Sequence, residues 1–252
     1  MKALTPARLG ACLVAMLTAT AIAAPVAHAT ITNQLDVGAQ LLDQPKGQPW
    51  AVNLLLGAKV IDSEGQAGLP ITKKFTFQFP KANVNSSAFT VCHATDGNLL
   101  SKGPSACPAA SQVGGGTADV RALSLPFAAT VKLFNGPGTN KKRQLILYAN
   151  ATTVDVTVIL HGTLTKTNNG NYGYTFDLPI PPIQVLQDQF VAIEGFNITV
   201  GKRITVRGKK ISFIDAPTKC SGDGWPFTFR DELDGGVVAN TSAAISCVIK
   251  AT

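Results

Sequence analysis

Apolar and polar residues alternate with a period of two along much of this chain. In Phe75-Thr76-Phe77-Gln78-Phe79 three rings fall on one side and the polar residues on the other, the pattern of a half-buried strand, and Pro80 closes the run. Val154, Val156, Val158 and Leu160 face one way while Asp155, Thr157 and His161 face the other, with Ile159 the exception. Such alternation places one sheet face on a core and the other in water. Further strands are predicted at 52–60, 127–134, 144–149, 190–200, 225–229 and 243–250.

The spaces between these segments carry turn chemistry. Residues 198–214 read as a three-strand meander, because Gly201-Lys202 and Gly208-Lys209 suit two-residue turns in which a leading glycine takes a positive φ. Residues 167–171, Thr-Asn-Asn-Gly-Asn, join a strand ending near Lys166 to one at 172–178. Beyond the N-terminus no stretch longer than two turns shows helical spacing free of Gly and Pro. Many short strands with frequent turns predict an all-β chain, an antiparallel β-sandwich with a jelly roll as one version of it. One domain over 30–252 is expected, with a subdivision near 135–140 as the alternative.

The N-terminus departs from this pattern. Lys2 and Arg8 precede an apolar run at 11–24 and the small-x-small triplet Ala27-His28-Ala29, the layout of a cleavable export signal helix. The run is about 14 residues, short of the roughly 20 needed to cross a bilayer, so cleavage after Ala29 and secretion are expected. Removing residues 1–29 leaves 20 Lys+Arg against 15 Asp+Glu and removes both methionines. It also leaves four cysteines, Cys92, Cys107, Cys220 and Cys247.

An even cysteine count in an exported chain argues for disulfides over reactive thiols. Four cysteines allow three pairings, and local pairing, Cys92 with Cys107 and Cys220 with Cys247, is the simplest expectation. Each would stabilise the fold by roughly 3 to 4 kcal/mol. The cysteine spacings do not match zinc fingers or ribbons, so no metal is expected.

The search for catalytic chemistry returns little. No Gly-x-Ser-x-Gly elbow occurs, and Gly103-Pro104-Ser105-Ala106-Cys107 fails at its fifth residue. His93 reads as a loop residue and His161 as solvent-exposed. Asp231, Glu232 and Asp234 form the one dense acid cluster, read as a solvated turn beside Gly235-Gly236. Gly114-Gly115-Gly116-Thr117 lacks the Lys-Ser/Thr pair of a phosphate loop, and is read as a flexible link. No cofactor is expected.

The basic residues are more suggestive. Lys202, Arg203, Arg207, Lys209 and Lys210 crowd the turns of the predicted meander, with Lys141, Lys142 and Arg143 in another turn. These positions suit an anionic envelope polymer or lipid headgroups through screened attraction. Nucleic acid fits poorly, because no stacking aromatics interleave with the charges.

Three segments, Phe89-Thr90-Val91-Cys92, Cys107-Pro108-Ala109-Ala110-Ser111-Gln112-Val113-Gly114 and Cys220-Ser221-Gly222-Asp223-Gly224-Trp225, resemble a group of uncharacterised secreted actinobacterial proteins. The resemblance implies export and implies no activity. The expectation is a secreted, non-enzymatic β-sandwich acting as a binding or structural module at the cell envelope or in the medium. The alternatives are a secreted glycan- or ester-directed hydrolase using Asp231, Glu232 or His93, and a carrier of an apolar ligand. The carrier would need an enclosed apolar cavity above roughly 300 Å3.

Overall fold

The computed structural model describes residues 30–42, 50–65, 68–122, 125–186, 189–217 and 224–246. The predicted export signal, Cys220 and Cys247 lie outside the described residues. The first strands are β1 (Ile31–Leu41), β2 (Val52–Asp62), β3 (Thr72–Pro80) and β4 (Asn83–Val84), followed by the short helix α1 (Asp96–Lys102). A long antiparallel run comes next, with β5 (Gln112–Ala122), β6 (Leu125–Gly138), β7 (Lys142–Ala151), β8 (Val156–Asn169) and β9 (Tyr172–Pro179). The short strands β10 (Gln184–Leu186) and β11 (Gln189–Phe190) lead to β12 (Ala192–Val200), β13 (Arg203–Val206), β14 (Lys209–Ser212) and β15 (Ile214–Asp215). The last two are β16 (Trp225–Leu233) and β17 (Val238–Ile245).

The all-β, antiparallel expectation holds, but the two-sheet arrangement does not describe the hydrogen bonding. Eleven strands form one sheet in the order β1-β2-β12-β5-β6-β7-β8-β9-β3-β16-β17. Each neighbouring pair is antiparallel. The sheet curls until β1 lies against β17, so it is nearly closed into a barrel. With an odd number of alternating strands the two edges run in the same direction. The ladder stops at this seam, and one side chain crosses it: Asn33 Nδ2 donates to the Ala239 carbonyl at 3.2 Å. Alternation specifies one buried face per strand and is equally satisfied by a sandwich or a barrel, which is why the sequence pattern could not separate them. The same sheet carries strands before and after 135–140, and β6 itself runs through residues 135–138.

The core is uneven. Phe196 on β12 packs across the barrel on Phe75 and Phe77 of β3 and Phe229 of β16, with ring centroids 5.7, 5.7 and 5.8 Å apart. These rings draw the β2–β12 wall onto the β3–β16 wall, and each such pair adds roughly 0.5 to 1.5 kcal/mol beyond its buried area. On that side the barrel is flattened and packed like a sandwich.

Gly114, Gly115 and Gly116 lie within β5, so the flexible-link reading is corrected. A Cβ at Gly116 would overlap the Asn197 carbonyl of β12, and one at Gly115 would come 2.8 Å from the Val131 carbonyl of β6. The glycines let β5 approach both neighbours more closely than a side chain allows.

The two barrel ends differ. At the end holding the β6–β7 and β8–β9 turns, here the upper end, β4 pairs with β15 and the β13–β14 hairpin sits alongside, with Phe213 and Ile214 buried beneath them. The predicted meander is corrected here. Gly201-Lys202 is a crossing from the large sheet to this cap, and the hairpin turn is Arg207-Gly208, with φ of 51° and 77°. Two positive φ values make the primed turn that matches strand twist, and an arginine carries the first of them. The last strand also begins earlier than predicted, at Val238 rather than 243.

Residues 85–111 strap the outside of β6, β7 and β8. Thr95 caps α1 through its hydroxyl, which accepts from the Asn98 N–H at 3.3 Å, and Leu99 packs with Phe134 and Ile146. Fully buried Asn135 donates from Nδ2 towards the carbonyls of Ser86, Phe89 and Thr90 at 3.1, 3.2 and 3.1 Å. The Cys92–Cys107 disulfide closes the strap.

Candidate functional site

The interior of the barrel away from the phenylalanine cluster is hollow. Inward positions on the β5–β8 wall are mostly small or branched, with Ala118, Ala129, Ala149 and Ala151 among them beside Val131, Val158 and Leu160, and Phe127 of β6 is the exception. Opposite them stand Phe75, Phe77 and Phe196. The cavity measures about 180 Å3, is partly open and is lined by apolar side chains. This is below the roughly 300 Å3 expected of a carrier for a drug-sized ligand. It exceeds the roughly 150 Å3 that accommodates a benzene-sized guest in a dry apolar void.

Outward positions of the same strands are polar: Thr76 and Gln78 on β3, Thr117 and Asp119 on β5, Thr228 and Arg230 on β16. Apolar-in and polar-out is the reverse of a lipid-spanning barrel. No helix among the described residues is long and apolar enough to cross a membrane.

The residues singled out from sequence are distributed as follows. Cys92 and Cys107 form the expected local disulfide. The basic group divides: Lys202 is half-buried and donates from Nζ to the Ala109 carbonyl at 2.9 Å, and Arg203 Nε lies 3.5 Å from Ser212 Oγ, whereas Arg207, Lys209 and Lys210 are exposed around the hairpin tip. Arg143 is not a surface cation. It is buried, and its Nη1 donates to the Gly136 carbonyl at 3.2 Å. Burial lowers its pKa.

The acid cluster is not a shared cleft. Asp231 and Glu232 are consecutive on β16 and point to opposite faces, Glu232 outward to Arg230 Nε at 3.0 Å and Asp231 inward with no exposed surface. Asp234 lies in the following turn and pairs with Lys73 Nζ at 2.7 Å. The Lys73 ammonium and the Gly235 N–H hold the Asp234 pKa below the usual carboxylate range. His93 is exposed, and belongs to the strap on the outside of the barrel. His161 departs from the solvent-exposed reading: it is half-buried against α1, with Nε2 2.7 Å from Asp96 Oδ1.

Asp231 is the unusual carboxyl. Neither oxygen has a hydrogen bond of good geometry, and the same holds for Thr72 Oγ1 and Asn33 Oδ1. Thr72 precedes Phe75, the partner of Asp231 across β3, while Asn33 bonds Ala239, its partner across β17. Burial pushes the Asp231 carboxyl up to about 7, with the Thr72 hydroxyl drawing it back and the Glu232 charge adding a smaller upward push. A neutral carboxylic acid is the form this site favours near pH 6. Groups of three or more metal-ligating side chains do not occur among the described residues.

A second concavity opens at the upper end. Lys81 after β3, Lys141 in the β6–β7 turn and Lys166 near the end of β8 converge on it, with Thr167 and Asn168. The Lys166 N–H donates to the Lys141 carbonyl at 2.7 Å, which ties two of the lysine-bearing segments together. A Cβ at Gly173 would fall 2.7 Å from the Lys81 Cα, so the start of β9 reaches the third only as glycine.

Sequence reasoning missed the cavity and this convergence. The alternating alanines of β5, β6 and β7 were the available signal for the first, since small side chains on an inward face leave space. The second has no local signal, because its lysines come from three segments distant in sequence. The chain matches no protein-family model, no curated protein and no solved structure.

Proposed function

We propose that this chain is an exported, non-enzymatic binding protein that carries a small or slender apolar molecule inside its barrel. The observation that carries the reading is the apolar-lined, partly open cavity of about 180 Å3 inside the barrel, bounded on one side by the β5–β8 wall. A packed core of this quality elsewhere in the same barrel makes the void a local property of the sequence: phenylalanines fill one side and alanines line the other. Burying a guest there removes its apolar surface from water at about 25 cal/mol per Å2. The Cys92–Cys107 disulfide suits an oxidising compartment and so supports export. The separation of Asp231, Glu232 and His93 supports this reading over a hydrolase built on those three residues.

Fluorescence of an uncharged naphthylamine probe tests the reading. It should rise on binding and fall as octanol displaces it. Ala149→Leu, which fills the void, should weaken probe binding at least about tenfold, equivalent to 1.4 kcal/mol, without lowering the melting temperature. Probe binding that ignores the substitution would overturn the cavity as the site.

A second reading, docking on an anionic envelope polymer or on lipid headgroups, is favoured by the exposed Arg207, Lys209 and Lys210 at the hairpin tip. Co-sedimentation with isolated cell wall and with anionic vesicles should then occur at low salt and fade at high salt. No sedimentation at low salt would remove it.

A further inference from the structure

We propose that the Lys81, Lys141 and Lys166 concavity is an anion-binding site and that the barrel's guest is an amphiphile, its carboxylate or phosphate head on these lysines and its apolar chain in the cavity. The inference rests on the proposed carrier reading and specifies the ligand class.

Three observations converge. The lysines are exposed, and none has an ion pair among the described residues, while no carboxylate lines the concavity among those residues. Three lysines from separate segments line one concavity, and like charges facing a shared space repel, a repulsion that an anion between them relieves. Polar groups suited to an anion's remaining oxygens adjoin them: Asn168 lines the site, and the Thr167 hydroxyl beside it is buried without a hydrogen-bond partner. An unpaired buried hydroxyl costs stability that a bound acceptor would restore.

The third observation joins this site to the interior. Ala82 and Tyr174 line both the lysine concavity and the apolar cavity. Ala82 is half-buried, and the Tyr174 hydroxyl accepts from the Val84 N–H at 3.4 Å, so the wall between the two spaces is a single short segment following β3. A chain passing beside Ala82 would lead from a cationic mouth into a dry interior. The opposite end has a different character. Exposed Leu125, Val154, Val237 and Val238 lie at its turns with Asp155 and the Lys73–Asp234 pair nearby.

Isothermal titration of the purified protein with octanoate, octyl phosphate, octanol and inorganic phosphate distinguishes the possibilities. Octanoate and octyl phosphate should bind at least about tenfold more tightly than octanol at low salt, the advantage shrinking at high salt. The triple substitution Lys81→Gln, Lys141→Gln and Lys166→Gln should abolish that advantage while leaving octanol affinity unchanged and without lowering the melting temperature, since all three side chains are exposed. Equal binding of octanol and octanoate would overturn the amphiphile while leaving the carrier reading intact. An advantage that survives the triple substitution would overturn these lysines as the site. Binding of inorganic phosphate with no binding of any octyl compound would overturn both readings. Should the triple variant fold poorly, single Lys166→Gln and the salt dependence of the unaltered protein decide the same question, because a salt-independent preference for octanoate is incompatible with it.

Discussion

Replacing Asp231 with asparagine should make the protein more stable at neutral and alkaline pH, although it deletes a buried charge-bearing group from the core. Its carboxyl has no exposed surface and no well-formed hydrogen bond. Its pKa in the folded chain rises from an ordinary 3.8 to about 7. Between these values the folded protein holds a proton that the unfolded chain releases. The unfolded state therefore binds fewer protons, and stability falls as pH rises from about 4, with the loss complete a little above 7. The full loss is about 4 kcal/mol, from the roughly 1.4 kcal/mol that accompanies each tenfold change in proton affinity. Asparagine has nearly the same shape and cannot ionise. Wild type and Asp231→Asn should therefore have similar stability at pH 4, and the variant should lead by about 4 kcal/mol at pH 8. Urea unfolding at a series of pH values, followed by the fluorescence of Trp50 and Trp225 in the upper core, gives both curves. Asp234, whose pKa is depressed, acts in the opposite direction and at lower pH, where its contribution is lost as pH falls. The difference between the two proteins removes it. A variant that is less stable at pH 8, or whose curve runs parallel to that of the wild type, would refute the reasoning.

Reduction of the Cys92–Cys107 bond, or Cys92→Ser with Cys107→Ser, should lower stability by roughly 3 kcal/mol while far-UV circular dichroism keeps its strand signal, because the strap lies outside the barrel. Asn135→Ala should cost about 3 kcal/mol in urea unfolding and raise amide exchange over residues 86–92, since two buried carbonyls and a part-buried third lose their shared donor.

Local chemistry made much of the fold legible. Phe75, Phe77 and Phe79 announced β3, and the valines of 156–160 announced β8, because period-two alternation is a property of each strand alone. The 167–171 cluster marked the β8–β9 turn, and the Cys92–Cys107 pairing was the simplest expectation from short spacing in a chain expected to be exported. Positions that depend on packing were read less well. His161 counted as exposed until α1 covered it, and Asp231 counted as a turn residue because acidic neighbours and glycines follow it, whereas β16 continues through it and turns it inward. Arg207-Gly208 replaced Gly208-Lys209 as the hairpin turn, since the register of β13 on β14 decides which residues stand at the tip.

The sequence by itself determined that this chain folds into antiparallel strands with one apolar face each, and made the Cys92–Cys107 crosslink the simplest expectation. Whether those faces met across two sheets or around one was decided only in three dimensions, because alternation is blind to which strand lies beside which. The tertiary structure alone places phenylalanines on one wall opposite alanines on another and gathers three lysines from distant segments. Cavities and charge clusters arise from distances between segments, and those distances are set by strand order rather than by any local run of residues.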